Sequence, residues 1–365
     1  MKHKQCKRCV MDTTANNISF DNNGYCNFCS EFLDRINEGH SDLTSNIESF
    51  IAKVKKDGKG KKYDCIVGVS GGADSSYTLY LAKKFGLRIL AVHMDNGWNS
   101  ELANNNIETL ISNMDVDFYT YVIDWNEYKK LMHSFFDADV INIELLYDNA
   151  MLAVNYRLAS KYGIKHILSG SNTATEGMSM PTNWNWHNYD KRNIKSIAKT
   201  KKIKIKTFPL IGTIDYLYFR LIKGIKWVPF LDYVNYNKEN SMEFLEKNYQ
   251  FKKYPYKHYE SVFTRFYQGY ILPTKFGVDK RKLHFSNLIM SNQMKRSEAI
   301  EKLKTIPYNS ESELLKDKDY VLKKLNWSNQ QFKNYLSRKE KKHSEYLTEK
   351  PFWDFCLKTY QNYFK

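Results

Sequence analysis

Two adjacent glycines stand where a phosphate group can be held. Ser70-Gly71-Gly72-Ala73-Asp74-Ser75-Ser76 follows the apolar run Tyr63-Asp64-Cys65-Ile66-Val67-Gly68-Val69 and opens a helical pattern. At such a strand-to-helix turn, glycine lets the backbone swing close to a ligand. The helix that follows aims its free N–H groups and the positive end of its dipole at the same point. Ser70, Ser75 and Ser76 add hydroxyl donors, and Asp74 is placed either to cap the helix or to approach a magnesium ion bridging phosphates. Two other phosphate loops are excluded by residue type. A Walker A loop needs a Lys after its glycines, and none occurs here before Lys83. A dinucleotide fingerprint needs a third glycine at its own spacing, and position 75 is Ser.

Further chemistry-bearing residues lie on either side. Cys6-Lys7-Arg8-Cys9 and Cys26-Asn27-Phe28-Cys29 form two Cys-x-x-Cys knuckles, a spacing expected of one tetrahedral zinc ion held by four thiolates. With all four ligands Cys and no open position, the metal is read as structural. Disulfides and an iron–sulfur cluster are the competing readings. Downstream, Ser169-Gly170-Ser171-Asn172-Thr173-Ala174-Thr175-Glu176-Gly177 closes another apolar strand, where Glu176 can bind magnesium or orient a nucleophile. His258, Val262 and Arg265 fall at helical spacing, as do Lys257 and Glu260. Lys257, Arg265 and Arg281 are candidates for the phosphate or carboxylate of an acidic substrate, or else members of surface ion pairs.

The elements that must position these residues follow from periodicity. Strands are expected at Tyr63–Val69, Arg88–His93, Asp117–Ile123 and Ile164–Ser169. Helices are expected at Ser75–Phe85, Glu101–Met114, Asn126–Phe136 and Asn149–Tyr162. Short apolar strands alternating with helices predict an α/β fold, a parallel sheet covered on both faces, with ligands bound at the carboxyl ends of the strands. Beyond Thr207 the alternation stops and the pattern becomes aromatic, basic and mainly helical. The resulting division is a four-cysteine zinc module at 1–45, a phosphate-binding α/β domain at 46–230 and a mainly helical substrate or partner region at 231–365.

Composition adds less. A formal net charge of +16 suits a polyanionic partner, or simply a Lys-rich codon usage. The dense basic run from Lys191 to Lys206 is either part of such a surface or a solvated face. No apolar leader follows Met1, so a cytoplasmic location is expected. The apolar stretch Thr207–Leu231 is interrupted by Asp215, Arg220, Lys223 and Lys226, which excludes a membrane span and leaves at most a peripheral contact.

The loop resembles the SGGxDS signature of the ATP-pyrophosphatase (PP-loop) superfamily, whose members cleave ATP to AMP and pyrophosphate. Ala91–Gly97 is similar to the segment that holds adenosine there. The resemblance thus implies ATP contacts from Ser70, Gly71, Gly72, Asp74, Ser75, Ser76, His93, Asp95 and Gly170, with Asp74, Ser75 and Glu176 catalytic. Taken with the cysteine pattern, Ser169–Pro181, Lys257–Gln268 and Asp279–Lys282 resemble the N-acetyl sugar amidotransferases of bacterial surface polysaccharide synthesis, including the pseudaminic and legionaminic acid amidating enzymes. That likeness implies a sugar site at Asn172, Thr175, Lys257, His258, Glu260, Arg265 and Arg281, and conversion of an acetamido to an acetamidino group with ATP, Mg2+ and structural Zn2+. It also implies glutaminase and cyclase-like ammonia-channelling partners. The sequence itself offers no glutaminase: Lys2 follows Met1, and only Cys65 and Cys356 lie outside the knuckles. A tRNA-modifying PP-loop enzyme and a nucleotide-sensing scaffold are the alternatives, and nucleic acid is not expected in the favoured reading.

Overall fold

The computed structural model describes residues 3–43, 46–255 and 258–364. After the two knuckles come α1 (Asn27–Leu43) and α2 (Ile47–Asp57). The central sheet and its crossovers follow as β1 (Cys65–Gly68), α3 (Ala73–Lys84), β2 (Ile89–Asp95), α4 (Glu101–Met114), β3 (Asp117–Val122), α5 (Trp125–Asp137), α6 (Leu145–Lys161) and β4 (His166–Ser169). Then come α7 (Thr173–Glu176), α8 (Lys191–Thr200), α9 (Thr213–Leu217), β5 (Lys226–Pro229) and α10 (Lys238–Tyr249). The chain ends with α11 (Val262–Phe266), α12 (Leu272–Phe276), α13 (Arg281–Met290), α14 (Arg296–Leu303), α15 (Glu311–Leu325), α16 (Asn329–Ser337) and α17 (Lys350–Phe364).

All strand pairs are parallel, in the order β3-β2-β1-β4-β5. The direction of winding reverses between β1 and β4, with Cys65 of β1 opposite Ile89 of β2 on one side and His166 of β4 on the other. In a doubly wound sheet that switch point opens a crevice at the carboxyl ends of the two strands. Strand alternation explains the two cores. Ile66, Leu90 and Val92 face a cluster with α5, α6, α8, α11, α15 and α16. Cys65, Val67, Ile89 and Ala91 face a cluster with α2, α3, α4 and α10. The C-terminal helices share the first of these cores, as Phe263, Phe266, Leu322 and Tyr335 show.

The fold departs from the sequence expectations in two places. Alternation does not stop at Thr207, because β5 adds a fifth strand beside β4, with Trp227 opposite Ile167. At four residues it is too short for a period to register, and its Pro229 is tolerated because the strand lies at the sheet edge. The helix expected through His258 and Arg265 begins only at Val262, capped by Ser261, whose hydroxyl accepts from the Thr264 N–H. His258 has φ of +65°, so it and Arg265 do not share a helix face.

Candidate active site at the sheet switch point

The loop from β1 to α3 is built as its residue types require. Gly71 has φ of +80°, and a Cβ there would lie 2.7 Å from the Ala103 carbonyl oxygen. Gly72 is the N-cap of α3 in an extended conformation. The serines order the loop from within: the Ser75 hydroxyl lies 3.1 Å from that of Ser70 and donates to the Gly72 carbonyl at 3.1 Å, while Ser76 donates to the same carbonyl at 2.7 Å. The Ser70 Oγ accepts from the Gly72 N–H at 3.3 Å. The first turn of α3 is thereby fixed with its free N–H groups in the geometry that suits an anion.

The second strand end meets the first at close quarters. A Cβ on Gly170 would lie 2.8 Å from the Asp74 carbonyl carbon and from the Ser75 nitrogen, so β4 delivers its loop directly against the phosphate loop. Asn172 caps α7 by accepting from the Thr175 N–H at 2.8 Å. Buried Asp232 accepts from the Thr173 N–H at 2.6 Å and from its hydroxyl at 2.9 Å. Thr175 is buried with its hydroxyl unpartnered among the described residues, whereas Glu176 is exposed.

Several groups that grip this loop carry no local sequence signal. Tyr254 donates to the Gly71 carbonyl at 2.7 Å, and Asn106 Nδ2 reaches the same oxygen at 3.4 Å. The Tyr236 hydroxyl donates to the Asp74 carboxylate, and Lys238 Nζ lies 3.8 Å from its other oxygen. Burial, then the charge of Asp74, pushes the Tyr236 phenol far up, so it remains a donor. These partners lie more than a hundred residues downstream of the loop, apart from Asn106, and only the fold brings them there.

The remaining expected site residues divide. His93 is buried, with Nδ1 2.8 Å from the Val69 carbonyl and Nε2 2.8 Å from Asn99 Nδ2. Burial lowers its pKa, and the neutral Nδ1–H tautomer satisfies both contacts. Asp95 ends β2 and accepts from the Gly97 N–H at 2.7 Å. Glu260 stands over the loop, its carboxylate 3.8 Å from where a methyl on Gly72 would be. Burial raises its pKa, but the His258 ring, 3.7 Å away, overcomes this and holds it below the usual glutamate range. The Glu260 carbonyl also accepts from the Ser100 N–H at 2.8 Å, tying the segment to the N-cap of α4.

Arg265 points instead at buried Asp317, with bonds of 2.5 and 2.6 Å, and stacks on Tyr259 at 3.8 Å. Arg281 is bound to Asp279 at 2.7 Å and donates to the Lys302 and Thr305 carbonyls. Lys257 lies outside the described residues. A group not singled out from sequence is Asp148 on the first turn of α6, whose pKa is pushed up to about 7 by burial and by nearby Glu144.

The four knuckle cysteines are buried and their sulfurs lie within 4.8 Å of one another. Cys6–Cys29 and Cys9–Cys26 are 3.9 and 3.6 Å apart. A tetrahedral ion with Zn–S bonds of about 2.3 Å requires sulfurs about 3.8 Å apart, so the set fits zinc. The Cys6 sulfur accepts from the Cys26 N–H at 3.2 Å and the Arg8 N–H at 3.3 Å, and the neighbouring thiols hold it well below the usual thiol range. The module is braced against the crevice: Arg296 donates to the Cys6 and Cys9 carbonyls at 2.8 and 2.9 Å, and Arg35 to that of Gly177 at 2.8 Å.

Comparison with known proteins finds matches on two separate stretches. Residues 43–210 match the family model for NAD synthase, and residues 260–360 match the C-terminal domain of WbpG-like LPS biosynthesis proteins. A tRNA(Ile)-lysidine synthase from Chlamydia pneumoniae is 37% identical over 65 residues, which covers 17% of this chain and only 20% of that protein. Among solved structures, the NH3-dependent NAD synthetase from Campylobacter jejuni subsp. jejuni NCTC 11168 is 15% identical with a TM-score of 0.30, covering 57% of this chain and 94% of that one. The NMN synthetase from Francisella tularensis is 13% identical with a TM-score of 0.28, covering 64% of this chain and 98% of that one. The two family models thus match separate stretches of the chain, one of NAD synthase type over strands β1 to β4 and one WbpG-like over the C-terminal helices.

Proposed function

We propose that this PP-loop protein is the synthetase subunit of an N-acetyl sugar amidotransferase. In this reading it is a cytoplasmic C–N ligase of surface polysaccharide biosynthesis that converts an acetamido group of a nucleotide-linked or nonulosonic sugar into an acetamidino group. The observation that carries the reading is the position of Glu260. The WbpG-like match begins at this residue, and its carboxylate stands over Gly72 of the phosphate loop. In this reading the WbpG-like stretch would form a wall of the ATP crevice, which the position of Glu260 supports.

The acetamido oxygen attacks the α-phosphorus of ATP, the bond from that phosphorus to the bridging oxygen breaks, and pyrophosphate leaves. Ammonia then adds to the imidate carbon, loses a proton, and the C–O bond breaks to release AMP. The N–H groups opening α3 and the hydroxyls of Ser70 and Ser75 would stabilise charge on the departing pyrophosphate. Asp74, Glu176 and Glu260 are the carboxylates around the loop fit to hold magnesium, which would neutralise the same charge. Lys238 adds a cation beside Asp74, and the His258 ring lies beside Glu260. Ammonia would come from a partner glutaminase through a cyclase-like subunit. Consistent with this, Cys65 is fully buried with its thiol pushed up by that burial, which unsuits it to nucleophilic attack.

The test supplies ATP, Mg2+ and ammonium with a panel of N-acetylated nucleotide sugars and nonulosonic acids, beside unmodified tRNA. Sugar-dependent release of pyrophosphate and AMP, with one oxygen of the sugar replaced by NH in its mass spectrum, supports the reading. Release dependent on tRNA alone selects RNA modification and refutes it.

A further inference from the structure

Far in sequence from the crevice residues, three neighbouring elements expose groups that neither the fold nor the proposed reaction uses. The helix begun by α9 runs on through a π-helical turn, Tyr218–Ile222. On it Ile214, Leu221 and Ile222 are 68%, 71% and 74% exposed. On α17, Phe355 is 66% and Phe352 45% exposed. The two helices adjoin: Trp353 packs on Tyr216, with ring centroids 5.4 Å apart, and Glu349 accepts from the Thr213 N–H at 2.5 Å. Large aliphatic and aromatic side chains gathered on adjoining helices are rare on a solvated surface unless something covers them.

Beside them lies the basic run that the sequence left open. α8 buries Ile194 and Ile197 and turns Arg192, Lys195 and Lys199 outward. With Lys191, Ser196, Leu347 and the carboxylate-bearing Glu349 these line a groove of about 330 Å³. α8 reaches α9 directly through the Lys191–Asp215 pair at 2.6 Å. The acidic groups of this face are already engaged, Asp215 by Lys191, Asp354 by Lys350 at 2.8 Å, and Glu349 by the Thr213 backbone. Arg192, Lys195, Lys199 and Arg220 have no ion pair among the described residues.

We propose that this face docks the protein on an anionic phospholipid membrane. The apolar side chains of the 213–222 helix and α17 enter the headgroup boundary, and the groove on α8 takes lipid phosphates. Charge decides for this occupant. An apolar face rimmed by unpaired cations, on a chain of net charge +16, matches an interface that is oily within and negative at its surface. No helix of the described residues is long and apolar enough to cross a membrane, so the contact is peripheral.

The experiment is co-sedimentation of the full chain with vesicles of phosphatidylglycerol and phosphatidylethanolamine, against pure phosphatidylcholine, at low and physiological salt. The wild type should sediment with the anionic vesicles only. Lys195→Gln with Lys199→Gln should weaken partitioning roughly 25-fold, about fivefold per cation removed. Leu221→Ser with Ile222→Ser should weaken it by about tenfold or more while keeping the wild-type unfolding temperature. Absence of sedimentation overturns the proposal. So does binding that is indifferent to the Leu221 and Ile222 changes, which would mark generic attraction to polyanions. Self-association of the wild type that these changes abolish would assign the face to a second copy of the chain, and also overturns it.

Discussion

The contact between the two strand ends can be broken by a single methyl group. Gly170→Ala places a Cβ 2.8 Å from Asp74 C and Ser75 N and 3.0 Å from Asp74 O, all backbone atoms of the turn that opens α3. Ordinary contact begins at 3.4 Å, so the two loops must separate by about 0.6 Å, and backbone cannot rotate away as a side chain can. Overpacking of this kind costs about 1–3 kcal/mol. A displacement approaching 1 Å in a reacting site costs up to about a hundredfold in rate, so pyrophosphate release should fall by about tenfold or more. Gly68→Ala is the matched control, because a Cβ there meets nothing within 4 Å although it too ends a strand of the same crevice. Urea unfolding and ATP-dependent pyrophosphate release on both variants decide the matter. If Gly170→Ala matches Gly68→Ala in stability and in turnover, the strand ends do not set the phosphate loop and the account of the crevice fails.

Other perturbations probe the remaining groups. Arg265→Met should cost about 3–5 kcal/mol in urea unfolding by stranding buried Asp317, with much recovered in Arg265→Met/Asp317→Leu; unchanged stability with a raised KM for the sugar would instead make Arg265 a substrate ligand. Asp148 has a pKa raised from 3.8 to about 7, so the folded state holds a proton that the unfolded chain releases, and stability is lost progressively from about pH 4 to pH 7. Asp148→Asn should accordingly stabilise the protein little at pH 4 and by about 1–4 kcal/mol at pH 8, and equal gains at both would exclude that titration. Stripping the metal with a chelator, or Cys9→Ser, should destabilise the protein by more than about 3 kcal/mol and speed amide exchange across Gly177–Trp184, since Met178 and Trp184 pack in the cysteine cluster. Zinc-free protein with unchanged exchange there would separate the module from the crevice.

The phosphate loop, the strands that flank it and the cysteine knuckles were legible in the sequence because each is written within a short stretch. A glycine needing φ of +80° and a helix start follow one another in the chain. The grip on the loop was not legible. Tyr236 and Tyr254 are ordinary tyrosines among 27, and only tertiary packing turns their hydroxyls onto Asp74 and Gly71. Arg265 shows the opposite limit. Its charge suggested an anion, but the anion it meets is Asp317, 52 residues on. β5 escaped notice because four residues cannot display a period.

Where those gripping residues lie bears on how the chain works. Tyr236, Lys238 and Tyr254 fall between the two matched stretches, which end at 210 and resume at 260. The interval contains α10, which packs on the sheet face opposite the C-terminal helices, and its flanks hold Asp74 and Gly71 from that side. Glu260 also reaches the loop, close enough to Lys238 and Tyr254 to interact electrostatically with both, and its carbonyl accepts from the Ser100 N–H at the N-cap of α4. The phosphate loop is thus held by residues of an interval that neither family model covers and approached by the first residue of the WbpG-like stretch. In the proposed reaction, a substrate held by that stretch would lie near the loop, because the polypeptide that would bind it also carries Glu260 to Gly72.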